Sequence, residues 1–246
     1  FWVSTHYSAL SFTSVVASVW ISGVDTPITL INSTANVSTY SADLDVVAGQ
    51  YVELHVWAWT AAGAIVPSTQ WILNFDGVAQ TVLRETSDSS LSMSGAIYGF
   101  IAPATGLKNV TIILGGATPV AGRGLICHAW RLTNYNATTT VQGYSSNTAY
   151  TANVTTLNIP NGLVPAQVGN AILISMMMRT GGLASGVSGG VGADGFTAVE
   201  TGTGATSDIT SIRGWQIVTD LTAKTVTYNW ATGARAAALR SEINKA

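Results

Sequence analysis

The sequence predicts an all-β protein made of two tandem antiparallel β-sandwich domains. Three observations predict this fold class. Short apolar or alternating runs recur between Gly, Pro and Asn breaks, and none is longer than the ten residues of Tyr51–Thr60. No long stretch carries the 3.6-residue period and the caps of a helix. Landmarks of the first half also recur, in the same order, in the second half.

The predicted strands follow one another along the chain. They are Tyr51–Thr60, Gln70–Phe75, Thr81–Arg84, Ala96–Ile101, Val110–Leu114, Leu125–Leu132, Val154–Ile159, Ala171–Arg179, Thr197–Glu200, Ile212–Val218 and Thr225–Trp230. The alanines of segment 234–245 favour a helix. Its counterpart in the repeat, Gly124–Leu132, has the pattern of a strand, so we predict that Ala236–Ile243 is the last strand.

The internal repeat is clearest around two glycines. "GQYVELHVWAWTAAG" at Gly49 aligns with "GNAILISMMMRTGG" at Gly169, a shift of 120 residues (169 − 49). The other aligned pairs are Asp76 with Asp194, Gly99 with Gly214, Lys108 with Lys224, and Arg123 with Arg235. Five landmarks in one order indicate a duplicated unit.

The repeat sets the predicted domains. Residues 26–135 form the first β-sandwich and residues 136–246 the second, with a short connection near Thr138–Gly143. Trp20 matches Trp130 in "SVVASVWISGVDTP". Residues 1–25 are therefore predicted to hold a strand, Ser14–Ser22, that closes or joins a preceding unit. Jelly-roll and immunoglobulin-like topologies both fit units of this length.

Composition excludes several classes of function. Only 9% of the 246 residues are charged, against about 25% in an average soluble domain. The net charge of −2 gives no basic field for nucleic acid. Apolar runs such as Ala171–Met178 are too short to span a bilayer as a helix, so no membrane insertion is expected. The single cysteine, Cys127, forms no internal disulfide.

One face of the strand "YVELHVWAWT" is unusual. Tyr51, Glu53, His55, Trp57 and Trp59 alternate with small apolar residues and so share one side of the strand. Such a row can stack on a glycan, or it can pack against another sheet, domain or subunit.

The equivalent row in the second unit favours the second reading. It is Ala171, Leu173, Ser175, Met177 and Arg179, which is largely apolar and as unsuited to open water as the first. We therefore interpret the row as a packing seam covered by protein.

The search for catalytic chemistry finds no motif. Glu53 and His55 are close enough to interact, but no nucleophile motif accompanies them, and the second unit has Leu173 and Ser175 in their place. Cys127 and His128 are neighbours on a strand, so they point to opposite faces and cannot share a metal.

Other candidate ligand sites have simpler explanations. Asp43 with Asp45, and Glu85 with Asp88, match no calcium loop and are expected to be solvated turn carboxylates. The Gly-rich segment 180–195 lacks the lysine of a phosphate-binding loop and is expected to be a long inter-strand loop. We predict no catalytic, cofactor-binding or metal-binding residue, and a chain that is not an enzyme.

The order of these landmarks resembles a known class of module. The segments "VVAGQYVELHVWAW", "FDGVAQTVLRE", "AIYGFIAPATGLKNVTIIL" and "AGRGLICHAWRLTNYN" resemble the tandem β-sandwich modules of fibres, spikes and decoration proteins in tailed bacteriophages and phage-like particles. The resemblance covers most of residues 40–246. It implies a structural virion protein whose partners are other virion subunits and a host-surface glycan.

Two alternatives remain at this point. One is a bacterial or archaeal cell-surface adhesin or filament subunit, and the less favoured one is the carbohydrate-binding module of a polysaccharide depolymerase. The low charge also predicts a homo-oligomer, because a monomer would expose large apolar patches. A trimer is what the resemblance implies.

Overall fold

The computed structural model describes residues 39–60, 66–88, 93–115, 122–179, 187–189, 197–201 and 209–246. Most of these residues lie in antiparallel strands, which confirms the all-β class. The one helix in these ranges is α1 (Pro67–Gln70), a single turn that begins at a proline. Within the same ranges, no helix has the length and apolar character needed to span a membrane.

The strands are short in the first half of the chain and include two long ones in the second. They are β1 (Thr39–Val46), β2 (Tyr51–Thr60), β3 (Trp71–Phe75), β4 (Val78–Gln80), β5 (Val82–Asp88), β6 (Met93–Ile101), β7 (Gly106–Leu114), β8 (Gly122–Leu132), β9 (Val141–Leu163), β10 (Ala171–Arg179), β11 (Val187–Gly189), β12 (Thr197–Thr201), β13 (Ile209–Ile217) and β14 (Lys224–Ile243). The predicted last strand, Ala236–Ile243, is confirmed as the end of β14.

The described strands form three sheets. We call β1-β7-β3-β4 the outer sheet and β5-β6-β2-β8 the middle sheet; the third sheet has the order β11-β14-β10-β13-β12, with β9 also paired to β14. The outer and middle sheets pack face to face through a core that includes Leu44, Leu73, Val52, Leu54 and Cys127. Together they form a β-sandwich from the first half of the chain.

The middle and third sheets share one topology, as the sequence repeat requires. The order β5-β6-β2-β8 recurs as β12-β13-β10-β14. The turns before β2 and β10 also match. Gly49 and Gly169 both have positive φ (83° and 93°), and their amides donate to the carbonyls of Ala102 and Val218, respectively. This backbone conformation suits glycine because a side chain would be strained there.

The outer sheet has a partial counterpart as well. In the outer sheet, β7 pairs with β1 on one side and with β3 on the other. In the second half, the start of β14 takes the place of β7. It pairs with residues 154–163 of β9 on one side and with β11 on the other, through Tyr228, Asn229 and Trp230. In the second half these strands are continuous with β9 and β14, so one connected sheet results. The division into two sandwiches, 26–135 and 136–246, stays a prediction that this repeated pairing supports.

The pairing register shows that the sequence alignment of the two units is wrong by one residue at two landmarks. Glu53 pairs with Gly99, whereas its equivalent Leu173 pairs with Trp215. The structural equivalent of Gly99 is therefore Trp215 and not Gly214. Because the side-chain period of a strand is two, a shift of one residue exchanges the faces of the whole strand.

The same correction applies to the last strand of each unit. Trp59 pairs with Gly124, and its equivalent Arg179 pairs with Arg235. Arg235 therefore corresponds to Gly124 and not to Arg123. With this register, His128 of the first unit corresponds to Leu239 of the second.

Several predictions fall outside the described residues. These are the segment 1–25 with its strand Ser14–Ser22, and the Gly-rich segment 180–195 apart from β11. The connection near Thr138–Gly143 is described, and β9 begins within it at Val141.

Candidate functional site

The row predicted on β2 lies between the middle sheet and the third sheet. The side chains of Tyr51, Glu53, His55 and Trp57 are buried, and none is more than 4% exposed. The backbone of Trp59 belongs to the same strand, but its side chain lies outside the described residues. We call the contact between these two sheets the seam.

Equivalent strands face each other across the seam. Trp57 packs in one cluster with Met177 and Leu239, and Tyr51 packs in another with Ala171 and Ile243. Tyr51, His55 and Trp57 thus each lie near the β10 residue 120 positions later. The two strands run in the same direction and present equivalent faces, so a pseudo-twofold axis along the strands relates them.

Two glycines of β6 make room for the aromatic side chains of β2. Gly95 pairs with Trp57, and Gly99 pairs with Glu53. A Cβ atom at Gly95 would overlap the Trp57 ring, and one at Gly99 would overlap the Tyr51 hydroxyl. The side chains of Trp57 and Tyr51 therefore extend over the neighbouring strand, into space that glycine leaves open.

A chain of hydrogen bonds crosses the seam. The Trp57 Nε1–H donates to Ser175 Oγ at 2.8 Å, and Ser175 Oγ lies 2.8 Å from His55 Nδ1. On the other side of the ring, His55 Nε2 lies 2.8 Å from Glu53 Oε1. Indole nitrogen is only a donor, so a neutral imidazole that accepts from Ser175 and donates to Glu53 satisfies every group. We call Trp57, Ser175, His55 and Glu53 the relay.

The relay ends on a buried carboxylate with several donors. Besides His55, Glu53 accepts hydrogen bonds from Tyr51 Oη at 2.9 Å and from Ser241 Oγ. Ser241 belongs to β14, so Glu53 is bonded to both units. Burial raises the pKa of Tyr51 far above its ordinary value, and the nearby charge of Glu53 adds to this, so Tyr51 stays a donor. A buried carboxylate is tolerated only when its oxygens are bonded in this way.

Sequence reasoning missed the part played by two serines. The sequence places Ser175 in the facing row, within a surface that is interpreted as largely apolar, and no pattern marks Ser241. The available signal was that Ser175 aligns with His55 in the repeat. Equivalent residues meet at a twofold axis, so a polar residue at that position is a candidate partner for the histidine.

One flank of the seam is cationic. His128 of β8 pairs with His55 in register, and Trp130 packs its ring edge-on to His55 at 4.6 Å between centroids. Arg213 of β13 is buried on the opposing sheet. Burial lowers the pKa of His128 well below 6.5, and the positive charge of Arg213 acts in the same direction. His128 is therefore neutral in the folded protein near pH 7.

We expect His128 to make the protein less stable in acid. Its pKa is lower in the folded state than in the unfolded chain, where it is about 6.5, so the unfolded chain binds more protons below that pH. The free energy of unfolding should then fall below pH 6.5, by at most about 1.4 kcal/mol per pH unit from this group. Its contribution is complete above pH 6.5.

The variant His128→Leu tests this expectation. Leucine occupies the equivalent position in the second unit, as Leu239. Urea unfolding of both proteins at about pH 7.5 and about pH 5.5 gives the change. The loss of stability between the two pH values should be smaller in His128→Leu. An equal loss in both proteins would contradict the assignment.

Ser175, His55 and Glu53 stand in the order of a nucleophile, a base and an acid. All three side chains have zero exposure, and Ser175 Oγ is already bonded to Trp57. Within the described residues, no group of three His, Cys, Asp or Glu side chains is placed to hold a metal ion. The arrangement can join two sheets and hold a charge between them.

Two of the candidate calcium ligands, Asp43 and Glu85, take part in local hydrogen bonds. Asp43 Oδ1 accepts from Asn109 Nδ2 at 3.1 Å. Glu85 accepts from the amide and the hydroxyl of Ser68, both at 2.7 Å. The side chain of Asp88 lies outside the described residues. These carboxylates fasten neighbouring strands and the α1 turn.

No protein-family model matches the chain, and no curated protein sequence matches it.

Proposed function

We propose that the chain is a structural, non-enzymatic subunit of a phage or phage-like particle, in a fibre, a spike or a decoration protein. It would act as a homo-oligomer among other virion subunits. The proposal rests on the surface at one end of the molecule, on the closed seam and on the resemblance described above.

The end of the molecule near Tyr51 and Ala171 carries exposed apolar side chains from both units. Antiparallel pairing places the starts of β2, β7 and β10 and the ends of β1, β6, β8, β13 and β14 at this end. The apolar residues exposed in its turns and strand ends are Val47, Val78, Ile101, Leu107, Val164, Val168 and Leu221. Exposed apolar side chains gathered at one end of a protein are typical of assembly contacts. This end surface is the observation that carries the proposal.

The seam supports the non-enzymatic part of the proposal. Glu53 and His55 are the acid–base pair that sequence inspection finds, and both are enclosed between two sheets. A catalytic base must reach a proton of its substrate. In the relay, each of these groups instead bonds a residue of the second unit.

Light scattering on wild-type protein and two lysine variants tests the assembly. Leu107 is 66% exposed at the end surface, and Ile72 is 38% exposed on β3, away from it. We expect a homo-oligomer at micromolar concentration, with three subunits if the resemblance holds. Leu107→Lys should weaken the oligomer by a factor of ten or more, since burying a charge without a partner costs several kcal/mol. The matched control Ile72→Lys should leave it intact.

Two results would count against the proposal. A wild-type protein that stays monomeric and soluble at micromolar concentration would remove the assembly argument. Labelling by a serine-directed fluorophosphonate that Ser175→Ala abolishes would show a reactive nucleophile, and the chain would then have to be treated as a hydrolase.

A further inference from the structure

Two arginines of the third sheet are buried without full hydrogen bonding. Arg213 is 4% exposed, and its Nε and Nη1 have no hydrogen-bond partner; Arg240 is 1% exposed, and none of its three side-chain nitrogens has one. Guanidinium stays charged in proteins, and a buried charge without a counter-charge costs several kcal/mol. Each arginine therefore requires a nearby negative group that balances its charge.

The two arginines differ in their surroundings. Arg240 shares a face of β14 with Glu242, two residues along, and the carboxylate acts to raise the pKa of Arg240 against the effect of burial. Burial alone lowers the pKa of Arg213, with no contribution from a described carboxylate. Arg213 lies on the other face of the sheet, in the seam. It thus places a positive charge between two sheets with no described negative group to balance it.

The neighbours of Arg213 across the seam are also unable to balance it. The charge of Arg213 acts across the seam on His128, and an imidazole is never negative. In register, Arg213 pairs with Ser175, whose hydroxyl is already bonded to His55 and Trp57. Glu53 has all its described bonds with Tyr51, His55 and Ser241.

We propose that Arg213 binds a small monovalent anion, chloride or a carboxylate, in the seam between β8 and β13. The anion accepts the N–H groups of Nε and Nη1 and supplies the missing counter-charge. Charge-assisted hydrogen bonds of this kind are strong in a buried site. Because only the folded seam forms the site, the anion also stabilises the contact between the two units.

The test uses chloride and acetate as probes and three proteins. In ³⁵Cl nuclear magnetic resonance, chloride that exchanges with a protein site gives an excess line width. We expect this excess with the wild-type protein, and we expect added acetate to reduce it if carboxylates share the site. Arg213→Met should lower the excess to that of buffer. The matched variant Arg240→Met, which removes the other buried arginine, should keep it.

The outcomes separate clearly. Excess line width that is absent from the wild type, or equal in Arg213→Met, would overturn the proposal. If Arg213→Met does not fold, crystals of the wild type soaked in bromide provide the second measurement. An anomalous peak within hydrogen-bond distance of the Arg213 guanidinium supports the site, and its absence there overturns it. If added acetate leaves the excess ³⁵Cl line width unchanged, the site binds chloride and does not bind carboxylates.

Discussion

Replacing Trp57 by alanine is expected to lower the free energy of unfolding by about 3–5 kcal/mol, the range for large aromatic residues in cores. Trp57 has zero exposure and packs against Met93, Ile97 and Met177. The substitution leaves a cavity between two sheets and removes the donor to Ser175. Urea unfolding followed by circular dichroism measures the change, because far-ultraviolet signals do not depend on this tryptophan alone.

A second substitution shows whether the ring position is responsible. Gly95→Ala should destabilise the wild type, because the new methyl group would overlap the Trp57 ring. In the Trp57→Ala background the same change should be neutral or stabilising, because the ring is gone and the methyl group fills part of the cavity. Equal effects of Gly95→Ala in both backgrounds would contradict the geometry of the seam.

Replacing Glu53 by leucine is expected to cost about 3–5 kcal/mol, the range for removing one partner of a buried charged network. The substitution leaves the hydroxyls of Tyr51 and Ser241 and the Nε2 of His55 without their acceptor. Leucine itself suits the position, since Leu173 is the equivalent residue of the second unit. The loss should therefore come from the unsatisfied donors. Urea unfolding at about pH 7.5 measures it.

Two controls accompany this variant. Glu53→Gln keeps one acceptor oxygen and should cost less than Glu53→Leu. Glu85→Gln changes a half-buried carboxylate that bonds Ser68 and keeps one acceptor oxygen, so it should cost about 0.5–1.5 kcal/mol. If Glu53→Leu were no more costly than Glu85→Gln, the carboxylate would not be the centre of the network.

Much of the fold follows from local pattern. Alternation along Tyr51–Thr60 separated an ordinary core face from the row that became the seam, and β2 has these bounds. The repeat correctly predicted a strand for the alanine-rich segment 236–243, although alanine favours helix. Both predictions depend on patterns that can be read directly from the order of residues: alternation in the first case and the internal repeat in the second.

The contacts across the seam could not be predicted in the same way. Ser175 meets His55 because equivalent faces of two units pack about a pseudo-twofold axis, and no local pattern encodes that choice. The alignment was also one residue out at Gly214 and Arg235, since landmarks can match while strands slide by one position. An error of that size moves Arg213 and Ser241 to the wrong face.

The seam joins the two halves of the chain into one structure. Differential scanning calorimetry tests this most directly. If the seam is the joint described here, the wild type should unfold in a single transition with equal calorimetric and van't Hoff enthalpies, and Glu53→Leu should lower its midpoint. Two separate transitions in the wild type, with Glu53→Leu shifting only one of them, would contradict it.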